Sequence, residues 1–423
     1  MSKPPLANNL KLRSAIALTF TTLATGFLAA ACTGGGTGGG TAADGTTLKI
    51  VSGLPLTGSS VGQAQTIVNG IQQVLDENNS TACNGKIKLQ YEKLDDATAA
   101  AGKWEPSQVT SNANKAVADK SVVAFIGHYN SGAAKLSIPI LNRADLVMVS
   151  PANTAPGLTK PGTGEPNEPN VYYPSGKRNF SRVVPADDLQ GVAAAKWAKS
   201  LGIKKAYVLD DQELYGKGLA NIFAQTAKKE GIQVLGQEGI DAKATDYKAL
   251  MTKIKALNPD LIYFGGITQN NAGQLIKDMR NVGMTPEKVK FMGPDGIYEK
   301  ALIDAAGKDA EGVYATFGGI PAKKLTGSGQ KWYESYKKKF SNQEPEAYAA
   351  YGYEAAKVVV EAINKVCKND RTAIRDAVMN TKNFNGVLGT WSFDPNGDTS
   401  LTTMSGNAVK NGKWEFVSVL QAK

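Results

Sequence analysis

The residues best suited to chemistry lie directly after short apolar runs that alternate with amphipathic segments. In the first half of the chain these residues are small or carry hydroxyl groups, as in Gly127-His-Tyr-Asn-Ser131 and Ser150-Pro-Ala-Asn-Thr154. In the second half they include carboxylates and an aromatic residue, as in Asp210-Asp-Gln-Glu-Leu-Tyr215 and Gly293-Pro-Asp295. One half therefore offers neutral hydrogen-bonding groups, and the other offers acids.

These groups suit a ligand that carries both charges. A loop of small residues that opens a helix presents free backbone N–H groups, which favour an anion such as a carboxylate. Ser131 and the loop from Ala152 to Thr154 fit that role, and Asp295 fits the role of a partner for an ammonium group. A small ligand with both groups is an amino acid, and a few charge-assisted hydrogen bonds of about 1.5–3 kcal/mol each give micromolar affinity.

The same residues also suit purely structural roles. Ser131 can cap a helix, Thr154 can form a turn, and Asp295 can shape the turn Gly-Pro-Asp-Gly. The occurrence of all three after predicted strands favours the ligand site.

The elements that position these residues alternate between strand and helix. Apolar residues recur at the helical period from Ala64 to Leu75, and short apolar runs at 122–126, 206–209 and 261–264 predict strands. The alternation stops at 155–180, a predicted surface excursion rich in Pro and Gly. Alternation on both sides of this break predicts an α/β fold of two lobes with parallel sheets. Ligands bind at the carboxyl ends of such strands, so the polar residues are expected to line a cleft between the lobes.

Composition argues against several classes of protein. The 423 residues carry a net charge of +10, but the lysines are widely spread rather than forming a basic stripe with aromatics, so no nucleic-acid partner is expected. One histidine and three cysteines are too few for a metal centre. The sequence from Asp394 to Asp398 departs from a calcium loop and is interpreted as a turn. We predict neither a metal nor a cofactor.

The N-terminus resembles a bacterial lipoprotein signal. A basic start precedes an apolar stretch, residues 15–31, which ends in small residues before Cys32. We predict a signal peptide at 1–31, lipid attachment at Cys32 and a flexible Gly/Thr tether at 32–46. The folded part is then expected in the periplasm or at the cell surface, anchored to the membrane through its lipid. The alternative is an uncleaved membrane anchor.

Five segments together carry a resemblance to a known family. They are Ile126-Gly-His128, Ser150-Pro-Ala-Asn-Thr-Ala-Pro156, Tyr215-Gly-Lys-Gly-Leu219, Tyr263-Phe-Gly-Gly266 and Phe291-Met-Gly-Pro-Asp-Gly296. From Leu48 to its C-terminus the chain resembles the leucine/isoleucine/valine-binding group, the periplasmic-type ligand-binding proteins of branched-chain and neutral amino-acid ABC transporters. The resemblance implies a type I periplasmic binding protein, a Venus flytrap of two Rossmann-like lobes joined by a three-strand hinge.

The resemblance also implies discontinuous lobes. Their expected limits are 47–185 plus 320–391 for the N-terminal lobe, and 186–319 plus 392–423 for the C-terminal lobe.

Carried over by position, the resemblance implies roles for six ligand-site residues. Ser131, Ala152 and Thr154 would hold the ligand's carboxylate and amino group from the first lobe. Tyr215 would close over the ligand from the second lobe, and Asp295 would bind the ammonium group. Tyr348 would line the side-chain pocket. Val61 and Ile267 replace tyrosines of some members, which implies a more apolar pocket.

The cysteines allow one internal pair. If Cys32 is acylated, Cys83 and Cys367 remain as a pair in an oxidising compartment. By the resemblance, both lie at the far end of the first lobe, which implies a disulfide. Two free, buried thiols are the alternative.

The resemblance implies a non-enzymatic, monomeric subunit that captures a neutral or branched-chain amino acid and delivers it to the transmembrane permease subunits of an ABC importer. One alternative is a tethered amino-acid sensor that reports to a membrane receptor. The other is an extracellular serine hydrolase that uses Ser60, since Gly58-Ser-Ser60-Val-Gly62 matches G-x-S-x-G. His128, the one histidine of the chain, would then have to act as its base.

Overall fold

The computed structural model describes residues 45–422. The predicted signal peptide, Cys32 and almost all of the predicted tether lie outside the described residues. Within 45–422, no helix combines the length and the apolar character needed to cross a membrane. The folded chain follows the predicted strand–helix alternation, and its elements form two α/β lobes.

The described residues contain fifteen strands. In chain order they are β1 (Thr46–Leu54), β2 (Thr81–Ala82), β3 (Ile87–Asp95), β4 (Val122–Gly127), β5 (Val147–Ser150), β6 (Phe180–Arg182), β7 (Lys205–Asp210), β8 (Gln233–Gly239), β9 (Leu261–Gly265), β10 (Lys290–Gly293), β11 (Val313–Gly318), β12 (Phe384–Gly386), β13 (Gly389–Trp391), β14 (Met404–Lys410) and β15 (Lys413–Leu420). Strands β4 and β9 are buried over their whole length, as parallel strands with both faces covered must be.

Eleven α-helices accompany these strands in the described residues. In chain order they are α1 (Val61–Glu77), α2 (Pro106–Ala118), α3 (Ser131–Asn142), α4 (Asp187–Ser200), α5 (Leu214–Lys229), α6 (Lys248–Ala256), α7 (Ala272–Asn281), α8 (Lys300–Ala306), α9 (Ser328–Lys339), α10 (Ala349–Val366) and α11 (Arg371–Met379). Helices α8, α9 and α11 are absent from the sequence-based prediction. They are short or strongly polar, and α9 buries just Gly329, Trp332 and Tyr336.

Lobe 1 is built on a six-stranded sheet with the order β2-β3-β1-β4-β5-β6. Its pairings are parallel except that of the short strand β2 with β3. The chain returns to this lobe late, because α9, α10 and α11 share one hydrophobic core with α1 and the central strands.

Helices α1 and α10 pack against each other unusually closely. A Cβ atom on Gly70 would lie 2.4 Å from the carbonyl oxygen of Ala349, and one on Gly352 would lie 2.6 Å from that of Ile67. Glycine at both positions is therefore required by the close approach of the two backbones. This packing fixes the start of α10, where Tyr348 precedes the first helical residue.

Lobe 2 is built on a seven-stranded sheet with the order β15-β14-β11-β10-β9-β7-β8. The five strands from β11 to β8 pair in parallel, whereas β14 and β15 are antiparallel additions at one edge. The prediction of two lobes with parallel-dominated sheets is confirmed.

The chain passes between the lobes in three segments. These are 183–186, which leads from β6 to α4, 319–327, which leads from β11 to α9, and 392–403, which leads from β13 to β14. The lobe limits inferred from the sequence stay a prediction.

The excursion at 155–180 is exposed only in part. Residues 161–167 are exposed, but Leu158, Tyr172 and Tyr173 are buried in a hydrophobic cluster with residues of the lobe 1 sheet. Burial of these large side chains explains why a Pro/Gly-rich segment is anchored at both ends.

Candidate ligand-binding cleft

A cavity lies between the two lobes. Both lobes contribute to its wall, with the residues Tyr129, Asn130, Ser131, Ala152 and Tyr348 from lobe 1 and Glu213, Tyr215, Ile267, Asp295 and Gly296 from lobe 2. Apart from Tyr348, these residues follow the carboxyl ends of strands β4, β5, β7, β9 and β10, where ligands bind in α/β sheets.

Five of the six predicted ligand-site residues border this cavity. They are Ser131, Ala152, Tyr215, Asp295 and Tyr348. Thr154 does not line it, but is fully buried two residues beyond Ala152. The structure thus brings the predicted set together, while the roles of these residues toward a ligand stay predictions.

The lobe 1 wall consists of the start of α3 and the loop after β5. Ser131 is the first residue of α3, and its Oγ accepts a hydrogen bond from the backbone N–H of Ala155 at 3.3 Å. The N–H of Ala152 donates to Ser150 Oγ at 3.1 Å. Ser131 can therefore still donate its hydroxyl hydrogen, and Ala152 offers its carbonyl group rather than its N–H.

The lobe 2 wall centres on Asp295, two residues after β10. Tyr215, in the first turn of α5, donates its hydroxyl to Asp295 Oδ1 at 2.8 Å and accepts the N–H of Gly296 at 2.9 Å. Tyr348, from lobe 1, donates to Asp295 Oδ2. Burial raises the pKa of Asp295, and the two tyrosine hydrogen bonds act against this shift by favouring the carboxylate.

Asp187 is a second buried carboxylate beside this site, and the sequence analysis missed it. It opens α4, and neither of its carboxylate oxygens has a hydrogen-bond partner among the described residues. Burial, together with the nearby charge of Asp295, raises the pKa of Asp187 well above 3.8. The hydroxyl of Thr154 forms no hydrogen bond with Asp187. It nevertheless lies close enough to the Asp187 carboxylate to favour the charged form and so to lower its pKa. In the sequence, the available signal for Asp187 was its position two residues after 185, the predicted end of the first lobe 1 segment.

Other buried polar atoms close to these acids are also without hydrogen-bond partners among the described residues. They are Thr154 Oγ1, Gln190 Oε1 and the hydroxyl of Tyr263. Burial is the largest cause that raises the pKa of Tyr263, and the charges of Asp187 and Asp295 raise it further. The phenol of Tyr263 therefore lies near both acids. Buried polar groups normally have partners, and such a set beside one cavity is typical of a site that receives a polar ligand.

Residues 47–413 match the family model described as periplasmic binding protein. The chain belongs to the periplasmic binding protein family. Among curated relatives it is 31% identical over 360 residues to the Leu/Ile/Val-binding protein homolog 2 of Brucella abortus, a match that covers 84% of this chain and 88% of the relative.

Solved structures of similar proteins support the same assignment. The leucine binding protein LivK of Thermotoga maritima is 29% identical with a TM-score of 0.77, over 88% of this chain and 99% of that one. The branched-chain amino acid transporter substrate binding protein LivJ of Streptococcus pneumoniae, in complex with isoleucine, is 25% identical with a TM-score of 0.76, over 89% and 100%. The family and fold inferred from the sequence are therefore confirmed.

Val61 and Ile267, the apolar residues at positions where some family members have tyrosines, differ in their position relative to the cavity of this periplasmic binding protein. Ile267 lines the cavity, whereas Val61 is 44% exposed and is not among the cavity residues. Tyr129 supplies an aromatic wall that the sequence analysis did not identify, and it meets Tyr348 edge to face with ring centroids 5.8 Å apart.

The geometry around His128 does not favour a hydrolase. His128 is fully buried, with Nδ1 bonded to Asp96 and Nε2 2.7 Å from Ser137 Oγ. The hydroxyl that His128 contacts is therefore that of Ser137 and not that of Ser60, whose base it would have to be. Ser60 itself occupies the N-cap position of α1.

The two predicted cysteine partners are joined in the structure. Cys83 and Cys367 form a disulfide with their Cα atoms 5.6 Å apart, at the opposite end of α10 from Tyr348. At the turn that begins with Asp394, Asp394 Oδ1 accepts the N–H groups of Asn396 and Asp398, and the Asp398 carboxylate pairs with Arg182.

Proposed function

We propose that this periplasmic binding protein captures a neutral amino acid of branched-chain or other aliphatic type and delivers it to the permease of an ABC importer. One observation carries the proposal. A helix N-terminus with a hydroxyl group in lobe 1 and a buried carboxylate in lobe 2 border the same cavity.

The ligand's carboxylate would bind at the start of α3. The first N–H groups of a helix have no partner inside it and carry the positive end of the helix dipole. Ser131 adds a hydroxyl donor at this point, because the bond to its Oγ from Ala155 leaves its hydrogen free. Neutral donors of this kind bind an anion without requiring a charged residue.

The ligand's ammonium group would bind at Asp295, with Asp187 as a second negative group nearby. A carboxylate has about four acceptor positions, so the bonds from Tyr215 and Tyr348 leave room for an ammonium group. The carbonyl of Ala152 and the hydroxyl of Thr154 extend this polar end from lobe 1. Binding would supply the positive charge that two neighbouring buried acids otherwise lack.

The ligand's side chain would occupy the part of the cavity bordered by Tyr129, Ile267 and Tyr348. Burial of a leucine or isoleucine side chain contributes about 1.5–3 kcal/mol. Relatives with names or bound ligands of this class support the assignment, since LivJ of Streptococcus pneumoniae is described in complex with isoleucine.

We further propose that the three connecting segments act as a hinge with the lobe limits stated above. A ligand that contacts both walls binds the closed arrangement more tightly, and this difference in affinity drives closure. The closed monomer would then present both lobes to transmembrane permease subunits from outside the cytoplasm. Lipid attached to Cys32 and the tether up to residue 46 would hold it at the membrane.

Isothermal titration calorimetry with the twenty amino acids, urea and short amides tests the proposal. After removal of any bound ligand, we expect leucine, isoleucine or valine to bind with micromolar or lower Kd. Binding of urea or an amide in preference to every amino acid would overturn the assigned ligand, and so would the absence of amino-acid binding.

A further inference from the structure

Glu213 is a second acidic side chain on the wall of the ligand cavity. It stands immediately before α5, and its side chain is 23% exposed. Lobe 1 reaches across the cleft to it, with Lys103 Nζ 3.2 Å from Oε1 and Trp104 Nε1 donating to Oε2 at 3.3 Å. Asp295, the other acid on the cavity wall, instead accepts hydrogen bonds from the hydroxyl groups of Tyr215 and Tyr348.

Lobe 2 supplies amide groups around Glu213. Asn270 donates its side-chain amide to Asp211 Oδ2 at 2.8 Å and to Glu213 Oε1 at 3.0 Å. Burial, together with the charge of Glu213, raises the pKa of Asp211 to about 7. The amide of Asn270 is neutral and cannot compensate the negative charge of Asp211 or Glu213. The compensating positive charge is that of Lys103 in lobe 1.

The loop that carries Lys103 is held in a defined position. Ala97 and Trp104 pair as an isolated antiparallel bridge. The ring of Trp104 lies against Gly132 in the first turn of α3, where a Cβ atom would be 2.8 Å from Trp104 Cζ2. Lys103 also donates to Asn270 Oδ1 at 3.0 Å. The packing of Trp104 against α3 and the hydrogen bond to Asn270 therefore fix the position of the Lys103 ammonium group relative to the cavity.

We propose that Lys103 is a specificity-determining residue, which cancels the charge of Glu213 and so restricts the cavity to ligands with one ammonium group. The inference rests on the proposed function. Without Lys103, the cavity has an additional uncompensated carboxylate, that of Glu213, on its wall. A ligand with a second cationic group, such as lysine or ornithine, gains attraction from that carboxylate, whereas leucine does not.

The ratio of two dissociation constants tests this assignment. We expect Lys103→Met to lower the ratio of the Kd for lysine to the Kd for leucine at least tenfold, measured by calorimetry or by competition. Both side chains of the pair are partly exposed, 32% and 23%, so solvent screening keeps the effect moderate. Glu213→Gln should change the ratio in the opposite direction, because it leaves Lys103 as an unpaired cation. The double variant Lys103→Met/Glu213→Gln should return to the ratio of the unaltered protein.

Lys160→Met is the matched control. Lys160 also pairs across the lobes, with its Nζ 2.7 Å from Asp188 Oδ2, but neither residue borders the ligand cavity. This variant should leave the ratio unchanged, which separates a charge on the cavity wall from a general effect of ion pairs between the lobes.

Each result has a distinct meaning. Equal weakening of leucine and lysine in Lys103→Met would show that the contact merely holds the lobes together, and would overturn the inference. An unchanged ratio with normal leucine binding would also overturn it and leave the proposed function in place. Failure of the unaltered protein to bind any amino acid would overturn the proposed function and this inference with it.

Discussion

The hydroxyl of Tyr348 donates a hydrogen bond to Asp295 Oδ2 and thereby connects lobe 1 to lobe 2 across the cleft. Tyr215 holds the other oxygen of the same carboxylate from within lobe 2. Two phenols thus fix the orientation of one buried acid. Because one bond lies within lobe 2 and the other crosses between the lobes, separation of the lobes would break only the bond from Tyr348.

Tyr348→Phe is expected to weaken amino-acid binding about tenfold. A hydrogen bond to a charged group contributes about 1.5–3 kcal/mol, while the phenylalanine ring keeps the edge-to-face packing against Tyr129 and Phe317. Calorimetry measures the change. Tyr353→Phe is the control on the same helix, since its hydroxyl donates to Glu77 at 2.6 Å, away from the cavity. Equal affinity in the two variants would contradict this reading of the bond.

Asp295→Asn is expected to reduce amino-acid affinity several-fold or more with the fold intact. The amide keeps the shape of the side chain and one acceptor oxygen, but removes the charge that attracts the ammonium group. The control is Asp304→Asn, which removes an exposed charge paired with Lys300 on the surface of α8. Calorimetry compares the two, and unchanged affinity in Asp295→Asn would remove this residue from the ligand site.

Acidification is expected to weaken ligand binding. Burial raises the pKa of Asp295 above 3.8, and burial with the charge of Asp295 raises the pKa of Asp187 well above it. An ammonium ligand binds the ionised forms, so it lowers these pKa values. Affinity is therefore highest above the ligand-free pKa values and falls at lower pH, by about tenfold per pH unit for each proton released on binding.

Calorimetry over a pH series with one ligand checks this dependence. The profile of Asp295→Asn should be flatter, because one of the two titrating acids is gone. Repetition in buffers with different ionisation enthalpies should show proton release on binding near the acidic end. Tighter binding at acidic pH would have the wrong sign for this mechanism.

Much of the fold was predictable because parallel α/β sheets have a simple pattern. Buried strands such as β4 and β9 are continuous apolar runs, and α1 shows the helical period along one face. Helix α9 escaped prediction because tertiary packing of Trp332 and Tyr336, rather than a broad apolar face, holds it in lobe 1. The antiparallel pairing of β14 with β11 was not predictable from the local pattern, because the two strands lie far apart in the sequence.

The sequence indicated which residues border the cavity where they lie within four residues of the end of a strand, as Ser131, Ala152 and Asp295 do. Asp187 and Glu213 gave weaker signals. Asp187 stands out through its burial beside Asp295, and Glu213 through its ion pair with Lys103 of the other lobe. Neither burial nor a contact between lobes can be read from the local pattern of residues.

The disulfide is expected to stabilise lobe 1. Peptide mapping of the unreduced protein by mass spectrometry should yield a linked peptide pair containing Cys83 and Cys367, and free thiols at both would contradict it. Replacement of both by alanine is expected to lower the free energy of unfolding by about 2–5 kcal/mol in denaturant titrations. A reductant should destabilise the unaltered protein by a similar amount and leave the double variant unaffected.

The last prediction concerns a buried ion pair where the chain leaves lobe 1. Arg182, fully buried at the end of β6, donates from Nε to Asp398 Oδ1 at 2.6 Å, and Asp398 lies in the connecting segment 392–403. Burial alone would raise the pKa of Asp398, but the charge and hydrogen bond of Arg182, with smaller contributions from Lys160 and Thr159, together outweigh it, and the pKa is lowered from 3.8. The pair therefore stabilises the fold above the pKa of the unfolded chain, and this contribution is lost as pH falls through the lower folded-state value.

Asp398→Asn is expected to lower the free energy of unfolding at neutral pH by about 3–5 kcal/mol, because it leaves the guanidinium of Arg182 buried without a counter-charge. Urea titration measures the loss, and the difference from the unaltered protein should shrink at acidic pH as Asp398 becomes protonated. Asp394→Asn is the matched control in the same turn, since an amide oxygen can still accept the N–H groups of Asn396 and Asp398. If both variants lost the same stability, the turn rather than the charge of Asp398 would hold the connecting segment against lobe 1.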